Sequence, residues 1–461
     1  MAGKKVLAVV LLVVISSVLF FPGCSKSKEE KPLVRILGPT KGTAEETEAW
    51  AKVMRDFEAE TGIRVEARWQ GNWPDLPQNL SAAKMAKEQV DLIVAGAGTL
   101  RSSLVRSGAI MNITELMKDL VDRFNEGMLD AFIIDGKLWG FPYADASASV
   151  FYYNKTLFDE LGIKPPKNYQ EFLKISKIIK EKKGIQPVIF QGKENWAWPM
   201  LFFETYEQTS GNTSVAKVEE FLSGKRRFST EIEKEAFLLV KKLFDDGIFT
   251  LDSLDTDSEG MRAVFSQQKA AMFYGGTWEY GAVKDVVKDF EIGVFEFPLM
   301  VNTPGVKPGH GFGVGDYGIA IPSFAKEENL ENTMRFVEYL LRPEVVNTIL
   351  SINDPMVQVI KGMQVADTPI VQTLNNEVLK NSVLFLDWIW PAEVNDAFCR
   401  CIPAVVSGNM TPGEAVKIVE ESLKTIEEEK DYKFDWWTSW TEEDWAKVTP
   451  KRVPDIKRYM K

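Results

Sequence analysis

Apolar positions along the chain alternate between two periods. The short apolar run at 31–37 (VRIL at its centre) predicts a first strand. From 44 to 61, Trp50, Val53, Met54 and Phe57 recur at helical spacing, and Gly62 is placed to stop the helix. Residues 63–69 predict a second strand and 80–86 a helix. The near-continuous apolar run VDLIVA at 90–95 predicts a buried third strand. Strands alternating with helices predict a parallel sheet covered on both faces, and in such sheets ligands sit at the carboxyl ends of strands. That singles out the loops 38–41, 70–73 and 96–99, and with them Gln70 and Trp73.

The stretch 135–165 has a different rhythm. Asp135-Gly136 has the residue types of a two-residue hairpin turn. Trp139, Phe141 and Tyr143 then alternate onto one face of an extended segment. Residues 144–148 are all small, which lets backbone pass close to a ligand or another segment. A second strand follows at 150–154, and a helix at 155–161 that Gly162 ends. Further on, the pattern predicts helices at 169–182, 230–245, 258–268, 330–341, 394–407 and 411–428. It predicts strands at 186–190, 270–274, 290–298 and 315–322. Residues 431–461 carry Trp436, Trp437, Trp440 and Trp445 and read as an appendage.

Length and composition narrow the class. A chain of 461 residues, 45% hydrophobic and 26% charged, can bury the cores of two domains or three. The net charge of −11 excludes a general nucleic-acid binder, and Lys225-Arg226-Arg227 is too short a basic run to say otherwise. Lys4-Lys5 followed by the apolar run 6–21 is a targeting segment, shorter than the ~20 residues a membrane span needs. No other stretch could span a bilayer, so the remainder is expected to be exported. Apart from Cys24, only Cys399 and Cys401 remain. A bridge between them would be strained, so they read as buried free thiols, with a local disulfide as the alternative for an exported protein.

Enzyme motifs are present only as fragments. Gly313-Val314-Gly315-Asp316-Tyr317-Gly318 matches a dinucleotide fingerprint, but it enters a strand instead of opening a helix. Ser81-Ala82-Ala83-Lys84 lacks its companion motifs. His310 is the only histidine, too little for a catalytic triad or a zinc site. No catalytic residue, metal site or cofactor is therefore expected. The 13 tryptophans say more, because Trp69, Trp73, Trp196, Trp198, Trp278, Trp388 and Trp390 stand at element ends, outside apolar periodicity. Sugar rings pack their apolar faces on indole, and their hydroxyls bond carboxylates strongly because the bonds are charge-assisted. Glu194-Asn195-Trp196 and Thr277-Trp278-Glu279 combine both groups within three residues.

The motif DGKLWGFPY…YYNKTLFDELGI.PPKNYQEF, here spanning 135–172, resembles the signature of the carbohydrate-binding extracellular solute-binding proteins of bacterial ABC importers, the family that includes maltose-binding protein. The likeness recurs along nearly the whole mature chain. It implies an α/β, two-lobed periplasmic-binding-protein fold without catalysis, each lobe a mostly parallel sheet flanked by helices. The implied division is a signal peptide at 1–23, a lipidated tether at 24–32, lobe one at 33–143 and 294–343, and lobe two at 144–293 and 344–430. Residues 431–461 are then expected on lobe two. Residues 290–298 resemble the strand returning to the first lobe, and Gly23-Cys24 resembles a lipobox in which Cys24 carries the lipid.

The likeness also carries site positions. Thr40 and Lys41 fall where the first-strand loop touches sugar hydroxyls, and Asp145 where a carboxylate of the first crossing meets the ligand. Glu194 and Trp196 occupy an aromatic-acid loop, with Glu279 beside Trp278, which matches a stacking tryptophan. Asn395 replaces a stacking aromatic, and Asp316 precedes the returning strand. Ala97-Gly98-Thr99 replaces a Trp and an acidic residue, which argues for a sugar other than a long maltodextrin. The implied partners are a carbohydrate ligand, the transmembrane permease subunits, and the membrane through the lipid anchor only, the protein itself being a monomer outside the cytoplasm. The rival readings are a non-sugar solute in the same fold and a glycan-acting surface enzyme.

Overall fold

Strand and helix alternate from the start of the described chain. β1 (Leu33–Gly38), β2 (Arg64–Trp69) and β3 (Leu92–Ala95) are separated by the helices Ala44–Thr61 and Leu76–Met85. β1 lies between β2 and β3 and runs parallel to both. The computed structural model describes residues 31–41, 44–72, 75–143, 147–313, 318–350 and 357–460. The signal segment with Cys24, and the site candidates Trp73, Asp145 and Asp316, lie outside the described residues.

β4 (Ile133–Ile134) and β5 (Lys137–Leu138) form the expected hairpin. Asp135 and Gly136 turn it with φ of 49° and 67°, the left-handed pair that a two-residue turn requires and that Asp-Gly supplies. Then come β6 (Phe141–Pro142), β7 (Ser147–Asn154), β8 (Gln186–Phe190), β9 (Ala270–Gly276), β10 (Ile292–Phe295), β11 (His310–Gly313), β12 (Gly318–Ala320) and β13 (Ser382–Leu384). The first sheet has the order β2-β1-β3-β12-β6. The second has the order β13-β11-β7-β9-β8, with β10 also on β7. These sheets are the floors of two lobes, and helices cover them as the alternation requires. Residues 32–461 pack as one compact unit.

The second lobe is built on aromatic layers. Phe151 of β7 stacks on Phe295 at 4.9 Å and meets Phe172 and Tyr274 at 5.3 and 4.9 Å. Burying each such ring stabilises by about 1.5–3 kcal/mol. These contacts correct the expectation that 290–298 returns to the first lobe. Ile292–Phe295 pairs antiparallel with β7 inside the second sheet, where Val294 and Phe295 are buried on its two opposite faces. The chain re-enters the first sheet only at β12, antiparallel to β3 and β6.

Two further placements differ from expectation. The helix Pro343–Leu350 stays with the first lobe, against Ala44–Thr61, and Lys361 N donates to Arg123 O at 2.8 Å. The chain reaches the second lobe only with the helix Pro369–Asn376 beside β10. The Trp-rich segment was expected on lobe two. Instead it covers first-lobe elements: Asn112 N donates to Val448 O at 2.8 Å, and Trp436, Trp440 and Trp445 surround Trp139 with ring centroids 6.2–6.3 Å away. These three indoles find more apolar partner surface around the buried Trp139 than on the charged helix Pro412–Lys430 that precedes them. Cys399 and Cys401 are free, buried thiols on the helix Ala392–Val406, each pushed up to about 11 by burial. Among the described residues no helix is long and apolar enough to cross a membrane.

Candidate ligand-binding site

The carboxyl ends of β8 and β9 lie side by side because those strands pair in parallel. Each is followed by a short helical turn, Asn195–Ala197 and Thr277–Glu279, that lifts one indole out of the core. Trp196 is 45% exposed and Trp278 40%, whereas the neighbouring Trp198 is 1% exposed. Exposed indoles at 6.0 Å from one another are an apolar platform open to solvent. The ring of Trp278 folds back across Gly276, where a Cβ would stand 2.2 Å from it. Glycine is therefore a steric requirement for the ring's pose. Thr277 Oγ1 accepts from Ala148 N at 3.2 Å, which anchors this turn to the start of β7.

Behind the platform the aromatic packing continues as buried core. Phe385 lies 6.5 Å from Trp278, and Trp388 4.9 Å from Phe385. A Cβ on Gly98 would lie 3.7 Å from Trp388 Cδ1, so the loop after β3 of the first lobe meets the far end of this packing. The first lobe thus meets the second here at the carboxyl end of β3, through a loop of small residues.

The carboxylates beside the indoles are held by their own lobe. Glu194 Oε1 accepts from Ser258 N at 2.8 Å and Ser258 Oγ at 2.5 Å, which ties it to the start of the helix Ser258–Ser266. Glu279 is buried and accepts from Arg262 at 2.7 Å. Burial raises the Glu279 carboxyl above its ordinary range, Arg262 opposes the shift, and Glu194 adds to it. A carboxylate has about four lone-pair sites, so the half-buried Glu194 can still accept from hydroxyls at the platform edge.

The remaining candidates are dispersed. Thr40 is exposed at the end of β1 and its N donates to Gly71 O at 3.0 Å; Gln70 is half-buried and its N donates to Gly38 O at 2.9 Å. Lys41 departs from expectation. Its side chain is 2% exposed, bonded to Tyr143 Oη at 3.3 Å, paired with Glu46 at 3.4 Å and held 4.4 Å from the Trp69 ring centre. Burial lowers its affinity for a proton, and Glu46 restores part of it. Lys41 is a strut joining β1, β2 and the first crossing, because three rings enclose its ammonium. Asn395 stands apart from the indole pair. Its Oδ1 accepts from Trp390 Nε1 at 3.1 Å, and Trp390 stacks on Phe398 at 4.3 Å inside the core.

Sequence reasoning missed Phe385 as part of this packing. No periodicity marks it, since it lies between a short strand and a turn. It also missed a buried polar cluster under the site. Glu204 Oε1 accepts from Ser149 Oγ at 2.5 Å, Tyr274 Oη at 2.7 Å and Gly311 N at 3.3 Å, while Oε2 is buried with no partner. Burial pushes this carboxyl up to about 8, and nearby Glu207 adds to the shift.

A family model described as "Bacterial extracellular solute-binding protein" matches residues 43–347. The "Multiple sugar-binding protein" of Streptococcus mutans is 27% identical over 344 residues, covering 74% of this chain and 78% of the relative. The "Melibiose/raffinose/stachyose-binding protein MelE" of Bacillus subtilis is 22% identical over 340 residues, covering 70% and 75%. Among solved structures, a "Chitin oligosaccharide binding protein" superposes with a TM-score of 0.70 at 22% identity, covering 86% of this chain and 98% of that one.

Proposed function

Because the chain belongs to the family of bacterial extracellular solute-binding proteins, we propose that it captures a carbohydrate between its lobes and delivers it to the permease of an ABC importer. One observation carries the ligand class: two exposed indoles 6.0 Å apart, edged by Glu194 and Glu279, at the carboxyl ends of β8 and β9. Sugar rings offer apolar faces to indole and hydroxyls to carboxylates. Relatives named for multiple sugars and for the melibiose, raffinose and stachyose series point the same way. In this reading the lobes close by hinge bending where the chain crosses between the two sheets. Thr40, Gln70, Trp73, Asp145 and Asp316 contact the ligand from the strand ends and crossings, and Lys41 and Asn395 hold contacting groups in place. Cys24 carries a lipid that anchors a monomer outside the cytoplasm, and the protein works without metal, cofactor or turnover.

A thermal-shift screen over α-galacto-, malto-, xylo- and chito-oligosaccharide ladders tests the reading, since a ligand that binds only the folded state raises the midpoint. The expected result is a saturable rise with at least one ladder and no product on prolonged incubation. Trp278→Ala is expected to weaken that ligand by about tenfold, the worth of one ring contact near 1.4 kcal/mol, while barely changing the midpoint of the free protein. No shift with any ladder rejects the carbohydrate; released shorter sugars favour the hydrolase reading, in which Glu279 with its raised pKa would act as the acid.

A further inference from the structure

Lys430 and Asp431 are neighbours in sequence that are held by different lobes. Lys430 ends the helix Pro412–Lys430, which packs on the second-lobe helices Glu231–Asp245 and Ala392–Val406, and its ammonium pairs with Glu393 of the latter. Asp431 turns the chain with φ of 47°, and its carbonyl accepts from Arg106 of the first lobe at 2.9 Å. The Arg106 guanidinium also lies 4.7 Å from the ring centre of Tyr432, so the start of the segment is clamped twice by one side chain.

From there the chain stays on the first lobe. Trp436, Trp440 and Trp445 enclose Trp139, and Val448 O accepts from Asn112 N at 2.8 Å. Lys457 pairs with Asp119 at 3.0 Å, and Tyr459 Oη donates to Glu331 at 2.6 Å. Residues 431–460 are a strap, rooted in the second lobe by the continuous chain and in the first by a buried cage of indoles. The seam beneath it is not packed. A cavity of about 260 Å³ lies there, with walls from Arg101 of the first lobe, Glu219 and Ile389 of the second, and Trp437 of the strap.

Chain geometry sets the reach of the strap. From Lys430, fixed to the second lobe, to Trp436, fixed in the cage, the six intervening steps span at most about 20 Å when fully extended. At this seam the second lobe can swing away only until those steps are taut, and the Arg106 clamp must break first. The clamp is made in the arrangement in which the loop at Gly98 meets Trp388, so it favours that arrangement over any in which it is broken.

We propose that the strap is a stop that sets how far the two lobes open, with Arg106 as its clamp and the cage around Trp139 as its anchor. The stop acts whatever solute the cleft holds, and its test needs no ligand, so it stands or falls separately from the carbohydrate reading.

The test is a spin-label distance measurement on the full chain, with labels at Met85→Cys and Leu238→Cys, exposed positions of the first and second lobe, in a Cys24→Ser background. Cys399 and Cys401 are buried, with their thiols pushed up to about 11, and stay unlabelled. Three forms are compared: the intact strap, Arg106→Gln, and an insertion of six Gly and Ser residues after the exposed Lys433. The insertion adds up to about 20 Å of reach and leaves the cage residues in place. The expected result is a narrow distance distribution with the intact strap and a mean longer by more than about 3 Å, the span of one extended residue, in both variants. Distances that coincide in the intact and lengthened forms overturn the stop. A lengthening confined to the insertion keeps the stop and removes Arg106 from it.

Discussion

Single side chains here divide into those that meet a ligand and those that hold them. Trp278 is aimed by the absence of a side chain at Gly276, and Lys41 is a cation enclosed by rings rather than offered to solvent. Glu204 is the most exacting residue of the second kind. It is fully buried where β7, β9 and β11 converge, and it keeps its proton up to about 8. In the unfolded chain a glutamate releases its proton near 4.3. Between those values the native state binds the extra proton, so this residue's contribution makes stability highest at the acid end and falling as pH rises, levelling off above about 8. Denaturant unfolding at pH 5 and pH 8 checks this. The wild type is expected to lose stability relative to Glu204→Gln by more than about 2 kcal/mol over that interval, since each unit of pKa difference is worth about 1.4 kcal/mol.

Among elements, the segment 431–460, a strap that leaves the helix Pro412–Lys430 and lies on the first lobe, most changes the expected picture. Its attachment is a cage of indoles around Trp139, with Trp436 and Trp440 at 6.3 Å, Trp445 at 6.2 Å and Lys137 Nζ 4.7 Å above Trp445. Trp139 is 1% exposed and precedes Phe141–Pro142, the strand that leads into the first crossing. Trp139→Ala is expected to lower the free energy of unfolding by about 3–5 kcal/mol and to open the strap to proteolysis near Lys433. Denaturant titration and limited proteolysis of the full chain would show both. The sequence marked these four tryptophans as an appendage but placed it on the second lobe, whereas it packs on the first. Nothing in their spacing encodes a partner more than 290 positions away.

At the scale of the whole molecule, the proposed capture of a ligand between two sheets requires the body to open and close. Small-angle scattering is expected to show a smaller radius of gyration with a bound oligosaccharide than without, and an unchanged radius at saturation would reject hinge closure. The strap is a further link between the lobes, so it limits how far they part.

Local pattern determined a good deal of this protein. The helix ends at Gly62 and Gly162, the Asp135-Gly136 turn and the apolar runs of β3 and β9 follow from propensities that act over a few residues. The pairing of Trp196 and Trp278 with nearby carboxylates was legible for the same reason, since each pair lies within one turn. Tertiary structure decided what depends on distant partners. It put β10 on β7, held Lys41 inside a ring cage, brought Phe385 and Trp388 between the platform and Gly98, and seated the strap on the first lobe. Those outcomes turn on which apolar surfaces remain uncovered once both sheets have formed, a quantity that no short window of sequence contains.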